Sequence, residues 1–412
     1  KFEKADKSNM TAVDLGVFLP LKGKSNNEVS AEARSMHRCQ GFGAMSVRGE
    51  SRDYFDLVKG DKPQGEDLFE GINTTWTRVE GGEKIGKMMT KIDRAFRSDH
   101  PAASVPDLLK AAAMIQALPD GHWKRVKSKE IKEVIRQCLG LYIEAVAEEP
   151  VVAPGERVKI AVEATNRSSI PVILKGMNIE PAFFDTTMVL PLAANKPFTY
   201  EKTVRIPNEA GFTTPYWLLS PYTNGMYTVE DQRMRGKAET PRFAKVRWSV
   251  QIQGIPFEYE TDVAWKTEES AIGEVWRPFE ILPPVYVSFS ESAYLFAGDR
   301  SKEVVVQVKA GKDSAQAEVR LKCPAGWTVA ESAQPVFFKK RGEEKTLVFH
   351  VSPGGETSEG QLEALAIVGG RSYNYELIPI KYDHIPQQSV LMPAVVKASR
   401  IDMRIKKKNV GY

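Results

Sequence analysis

The stretch EEPVVAPGERVKIAVEA, residues 148–164, is where the chain changes its repeat. Val158, Ile160, Val162 and Ala164 alternate with Lys159, Ala161 and Glu163. Successive strand side chains point to opposite faces, so this alternation predicts a half-buried β-strand. Before Pro150, apolar residues recur every three to four positions, the helical repeat. Pro150 therefore reads as the joint between a helical part and a β-part. Downstream, strands are expected at 171–174, 198–206, 246–252 and 257–265, and Asn224 with Gly225 gives a two-residue turn signal. Residues 150–283 read as an antiparallel β-sandwich.

Pro283 and Pro284 punctuate the chain again. Strands are expected at 285–289, 304–308, 317–321, 336–338, 347–351, 362–368 and 373–380. That count over residues 284–384 suits a second, immunoglobulin-like sandwich. Residues 385–412 carry one candidate strand at 401–405 and read as a linker to a further unit.

Upstream, SNNEVSAEARSMHRCQGFG at 25–43 reads as one helix. Ser25 and Glu28 have capping-box spacing, and Gly41 stands where a left-handed stop is easy for glycine. Val29, Ala33 and Met36 share a face that needs a large partner, which the preceding residues are too few to supply. Residues 1–46, with a strand at 13–19, are therefore expected to close an α/β domain whose body lies elsewhere. Residues 47–82 read as loop. Helical stripes follow: Ile85, Met88, Ile92 and Phe96; then Leu108, Ala112, Ile115 and Leu118, after Ser104 and Pro106. A third stripe at 129–146 comprises Ile131, Val134, Ile135, Cys138, Leu141, Tyr142 and Ala145. Residues 47–149 are thus expected to be a helical segment. The fold class is α+β multidomain, a helical N-terminal segment followed by two immunoglobulin-like antiparallel β-sandwiches.

Composition narrows the chemistry. The chain has 412 residues, 42% apolar and 27% charged, as in globular proteins of several domains. Its 57 basic and 53 acidic residues leave only +4, evenly spread, so nucleic acid is not an expected partner. The cluster Lys406, Lys407 and Lys408 reads as a solvated tail. No apolar run of about 18 residues exists for a membrane span. Three scattered cysteines, Cys39, Cys138 and Cys323, give no disulfide framework. The five histidines are too far apart for a local metal pair, so no metal site is expected. No G-x-S-x-G elbow or phosphate loop is present. Aromatics are frequent in the first sandwich. Trp248 and Trp265, in alternating strands, read as core. Tyr216, Trp217 and Tyr222, among prolines and the Asn224–Gly225 turn, are the candidate ligand-binding residues.

SAEARSMHRCQGFG at 30–43 resembles the closing helix of PIG-L (LmbE-like) zinc-dependent N-deacetylases, in which a basic residue, a His and a terminal Gln recur in this order. GEDLFEGINTTWTRVEGG (65–82), SVPDLLKA (104–111), TPYWLLSP (214–221), YTVEDQ (227–232) and KYDHIP (381–386) are similar to the long Bacteroidetes proteins of that type. The resemblance implies a bacterial periplasmic or secreted protein acting on N-acetylated amino sugars or glycoconjugates. It implies zinc for the parent family but none in this chain, since the His-Pro-Asp-Asp-Glu motif and the later His-rich motif are missing from it. The chain would then be the accessory region that follows the zinc motifs, between a deacetylase domain and a C-terminal domain. Arg34, His37 and Gln40, with Trp76 and Arg78 of the 65–82 loop, would border the cleft. A stand-alone carbohydrate-binding protein and a structural spacer are the alternatives.

Overall fold

A computed structural model describes residues 6–181, 184–220 and 222–402. The chain forms two compact units, Lys1–Asp93 with Ala113–Val126 and Arg94–Ala112 with Lys127–Tyr412. The secondary structure is mostly β. Among the described residues no helix is long and apolar enough to cross a membrane.

In the first unit, Thr11–Asp14 pairs antiparallel with Arg52–Phe55, and Phe18–Leu19 pairs with Lys24–Ser25. The single strand expected at 13–19 is therefore two short ones. Asp14 fixes the bend between them: one carboxylate oxygen accepts from the N–H groups of Ser51 and Gly16, both at 2.8 Å. Those bonds, Ser51's foremost, lower the Asp14 pKa.

Helix α1, Asn26–Ser35, carries the expected capping box. Ser25 N–H donates to Glu28 Oε2 (2.8 Å), and Glu28 N–H donates to Ser25 Oγ (3.3 Å). The helix stops at Ser35, earlier than expected. A 3-10 turn, Arg38–Gln40, follows, and Gly41 (φ +66°) caps that turn instead. Only Ala31 of α1 is buried; Val29 is half-buried, while Ala33 is exposed and Met36 is 68% exposed, so the expected face is largely uncovered. Before Glu83, α1 is the one α-helix among the described residues, so the N-terminal segment is only partly helical.

Helices α2 (Glu83–Ala95), α3 (Val105–Gln116) and α4 (His122–Cys138) follow. Ile85 and Ile92, and then Leu108, Ala112, Ile115 and Leu118, are buried as their spacing predicts, but Met88 is half-buried and Phe96, just past the end of α2, is 48% exposed. The helix expected to run to residue 146 ends at Cys138. Gly140, at φ +58°, turns the chain into a strand, Leu141–Ala147, whose residues alternate between buried and half-buried. Leu141, Tyr142 and Ala145 thus belong to the first sandwich, which begins inside the segment expected to be helical.

That sandwich is one eight-stranded sheet folded on itself. Its order is Phe198–Arg205, Arg157–Asn166, Leu141–Ala147, Ile255–Glu269, Lys245–Ile252, Val172–Glu180 and Phe184–Pro191, with Gly273–Pro278 also on Ile255–Glu269. The long strand turns the corner. Its first half pairs with Lys245–Ile252; its second half pairs with Gly273–Pro278 and, in parallel, with Leu141–Ala147. The outermost strands meet through Phe184 and Tyr200, stacked at 6.0 Å and 14°, with Lys202 Nζ 4.4 Å from the Phe184 ring centre. Trp248 is fully buried, as expected, whereas Trp265 is only half-buried.

The second sandwich has two layers. One orders Val285–Phe289, Lys302–Ala310, Glu344–Ser352 and Thr328–Val329. The other orders Ala293–Ala297, Val395–Ile401, Ser358–Val368, Gln316–Lys322 and Gln334–Phe337, with Arg371–Tyr373 on Ser358–Val368. Phe296, Phe338, Phe349 and Trp327 fill the space between. Residues 385–401, expected to be linker, are instead two strands. Ile385–Pro393 forms a hairpin with Tyr375–Tyr382, and Val395–Ile401 lies parallel to Ala293–Ala297 with Ala398 in the core. Neither sandwich is purely antiparallel. The strand expected at 401–405 and Lys406, Lys407 and Lys408 lie largely or wholly outside the described residues.

His350 faces solvent from Glu344–Ser352, between the buried Phe349 and Val351. Its Nδ1 is 2.7 Å from Glu331 Oε1, and its N–H donates to Glu331 Oε2 at 2.7 Å. The Glu331 hydrogen bond raises the His350 pKa. Protonated His350 therefore adds stability that is fully present below the ordinary value of about 6.5 and is lost as pH rises through its folded value. Glu331→Gln is expected to lower the His350 midpoint in an NMR titration of its ring protons. An unmoved midpoint would refute this pairing.

Candidate functional site

The N-terminal candidates do not form one constellation. Arg34 is exposed on α1, and His37 Nδ1 lies 3.0 Å from Gln40 Oε1 across the following turn. Trp76 starts a 3-10 turn capped by Thr75, whose hydroxyl accepts from Thr77 N–H at 3.3 Å. Gly86 of α2 makes room for the indole: a Cβ there would stand 3.0 Å from the Cβ of Trp76. The Arg78 guanidinium lies 3.7 Å from the ring centre of Trp123 on α4, a cation–π contact. These contacts tie the 65–82 loop to its helices. Among the described residues, no hydrogen bond, ion pair or ring contact joins Trp76 or Arg78 to Arg34, His37 or Gln40.

Among the described residues, no three His, Cys, Asp or Glu side chains gather where they could hold a metal ion.

The C-terminal candidates do come together, on the long loop between Phe198–Arg205 and Lys245–Ile252. Threonines order its stem. Thr213 N–H donates to Ile281 O (3.0 Å), and Ile281 N–H donates to Thr213 Oγ1 (3.1 Å). Thr214 Oγ1 accepts from Leu391 N–H (3.1 Å). Thr240 Oγ1 accepts from Tyr216 N–H (2.9 Å) and donates to Thr214 O (3.2 Å). Tyr216 is itself buried, and its hydroxyl donates to Lys237 O at 2.9 Å. Its ring meets Trp217 edge-on, with centroids 5.0 Å apart and planes at 87°.

The loop tip closes on itself. Thr223 and Met226 exchange backbone hydrogen bonds around the Asn224–Gly225 turn, with Gly225 at φ +97°. Arg235 donates twice to Val229 O (3.0 and 2.8 Å). The Arg233 guanidinium holds the Asp231 carboxyl down to about 2. Trp217, Met226, Tyr227, Val229 and Arg235 then line an open cleft of about 560 Å³ over Tyr216. Tyr227 is 59% exposed; Tyr222, 53% exposed, leans on it at 5.7 Å. Of the three expected residues, Tyr216 and Trp217 line the cleft, and Tyr222 lies outside its lining, against Tyr227. Met226, Tyr227 and Arg235 were not singled out, although the Asn224–Gly225 signal already placed their loop at the surface.

Trp217 also borders a smaller recess of about 40 Å³. Pro215, Pro241, Phe243 and Pro278 give it apolar walls, and Arg242, Gln387 and Gln388 polar ones. Glu280, only 4% exposed, lies in the recess, and Ser389 Oγ donates to its Oε2 at 2.8 Å. Burial raises the Glu280 pKa, against the Ser389 hydrogen bond and the positive charges of Arg277 and Arg242.

No family model matches the chain, and neither does any curated protein. Among solved structures, red sea bream transglutaminase aligns over 69% of this chain and 34% of its own length, at 11% identity and TM-score 0.28. Salmonella alpha-2-macroglobulin reacted with methylamine aligns over 63% and 16%, at 11% identity and TM-score 0.21. A Porphyromonas gingivalis W83 protein of unknown function aligns over 63% and 99%, at 8% identity and TM-score 0.16. The chain thus spans about a third of the transglutaminase and about a sixth of the macroglobulin. Likeness at this level carries no functional information.

Proposed function

We propose that this chain is the glycan-contacting scaffold region of a PIG-L-like zinc-dependent N-deacetylase. The observation that supports contact with glycans is Trp217. Tyr216, tied at both its N–H and its hydroxyl, holds the indole edge-on and leaves it lining a cleft shared with Tyr227. Flat aromatic faces suit the apolar faces of sugar rings, and the flanking polar groups suit their hydroxyls. The family half of the reading rests on the motifs at 30–43, 65–82 and 214–232. The parent reaction would remove an N-acetyl group from an amino sugar; this chain would supply binding and support. The immunoglobulin-like character of the second sandwich and a periplasmic or secreted setting belong to the same proposal. The cleft would equally serve a stand-alone carbohydrate-binding protein.

Titrating the chain with a panel of neutral oligosaccharides, followed by tryptophan fluorescence, tests this. Saturable binding is expected, insensitive to salt because an uncharged ligand releases no counterions. Trp217→Ala is expected to weaken it roughly tenfold, about 1.4 kcal/mol. Flat titrations across the panel would contradict the reading and favour a spacer.

A further inference from the structure

The recess beside Trp217 is built differently from the open cleft. Its volume, about 40 Å³, exceeds the roughly 10–15 Å³ that one water needs but is far too small for a sugar ring. It admits a substituent of a few atoms while the ring stays outside. Glu280, only 4% exposed, lines it, and Ser389 Oγ donates to Glu280 Oε2 at 2.8 Å. The Ser389 backbone N–H also hydrogen-bonds the Glu280 carboxyl group. A carboxylate has about four acceptor positions, so Glu280 keeps capacity for a donor that enters the recess.

The charges nearby cancel. Arg242 pairs with Glu239 at 2.5 Å, and Arg277 offsets Glu280. The recess therefore favours an uncharged hydrogen-bond donor over an ammonium or a carboxylate. Pro215, Pro241 and Pro278 would enclose a methylene behind that donor. On a pyranose lying against an indole, the hydroxymethyl group is a small, neutral, hydroxyl-ended arm projecting from the ring edge.

We propose that Glu280 is a specificity residue, which accepts a hydrogen bond from the hydroxymethyl group of a hexopyranose whose ring lies against Trp217. This rests on the glycan-contacting reading of the cleft. The experiment compares cellotetraose with xylotetraose, which share a backbone and linkage and differ by the hydroxymethyl groups. The full chain is expected to bind cellotetraose about tenfold or more tightly than xylotetraose, the discrimination of a site built around a hydroxyl. Trp217→Ala should weaken both. Glu280→Gln, which keeps the side-chain volume, should shrink the preference with its thermal transition retained. Should that variant fail to fold, the preference in the unmodified chain decides the matter alone. Equal affinities for the two sugars, or a preference untouched by Glu280→Gln, would overturn the subsite and leave the aromatic cleft standing. Binding of neither sugar would overturn the subsite, and a flat response across the wider panel would remove the cleft reading as well.

Discussion

Trp248→Ala is expected to destabilise the first sandwich by about 3–5 kcal/mol, the usual loss for a large aromatic removed from a core. Trp248 is fully buried on Lys245–Ile252 and sits opposite Met177 on one neighbouring strand and Tyr259 on the other. Its Nε1–H donates to Thr261 Oγ1 at 2.8 Å, so the indole is held in place as well as packed. Truncation opens a cavity at the middle of the sheet, where backbone pairing on both sides prevents collapse. Trp248→Phe should recover part of the loss, because it returns ring volume without the N–H. Urea unfolding followed by circular dichroism reads both values. A loss below about 1 kcal/mol for the alanine variant would show that the site is not the core described here.

Gly311→Ala should cost about 1–3 kcal/mol by overpacking. Gly311 follows Lys302–Ala310 and donates its N–H to Pro284 O at 2.8 Å. A Cβ there would stand 2.1 Å from Pro283 O and 3.0 Å from the Pro284 carbonyl carbon. Those are backbone atoms of a buried proline pair at the entry to the second sandwich, so no side chain can swing aside. Either the pair or the strand end must move. Unchanged thermal stability for Gly311→Ala would mean that this close approach is not present in solution.

The strands at 158–164, 246–252, 304–308 and 317–321 were legible because each has one face in a core, which writes an alternating pattern. The change at residue 141 was not. LYIEAVA places Leu141, Tyr142 and Ala145 where the preceding helical stripe would put them, and the same residues also alternate. Gly140 decides between the two, since its left-handed conformation ends α4 within one turn. Val395–Ile401 was hidden for another reason. Its parallel partner, Ala293–Ala297, lies a hundred residues earlier, so local pattern carries no trace of the pairing. At the site, the turn signal located the surface loop. The roles of Tyr216 and Trp217 were separable only once the Thr240 and Lys237 hydrogen bonds were in view. Glu280 was not legible because its hydrogen-bond partner, Ser389, lies more than a hundred residues away.

Under the proposed function, this chain holds glycans without turning them over. The decisive measurement is a titration with N-acetylchitotetraose in zinc-supplemented buffer, with acetate followed by NMR. Saturable changes in tryptophan signals that Trp217→Ala weakens are expected, with acetate no higher than in the protein-free blank. Acetate release above the blank, or no saturable change at any concentration, would contradict that function.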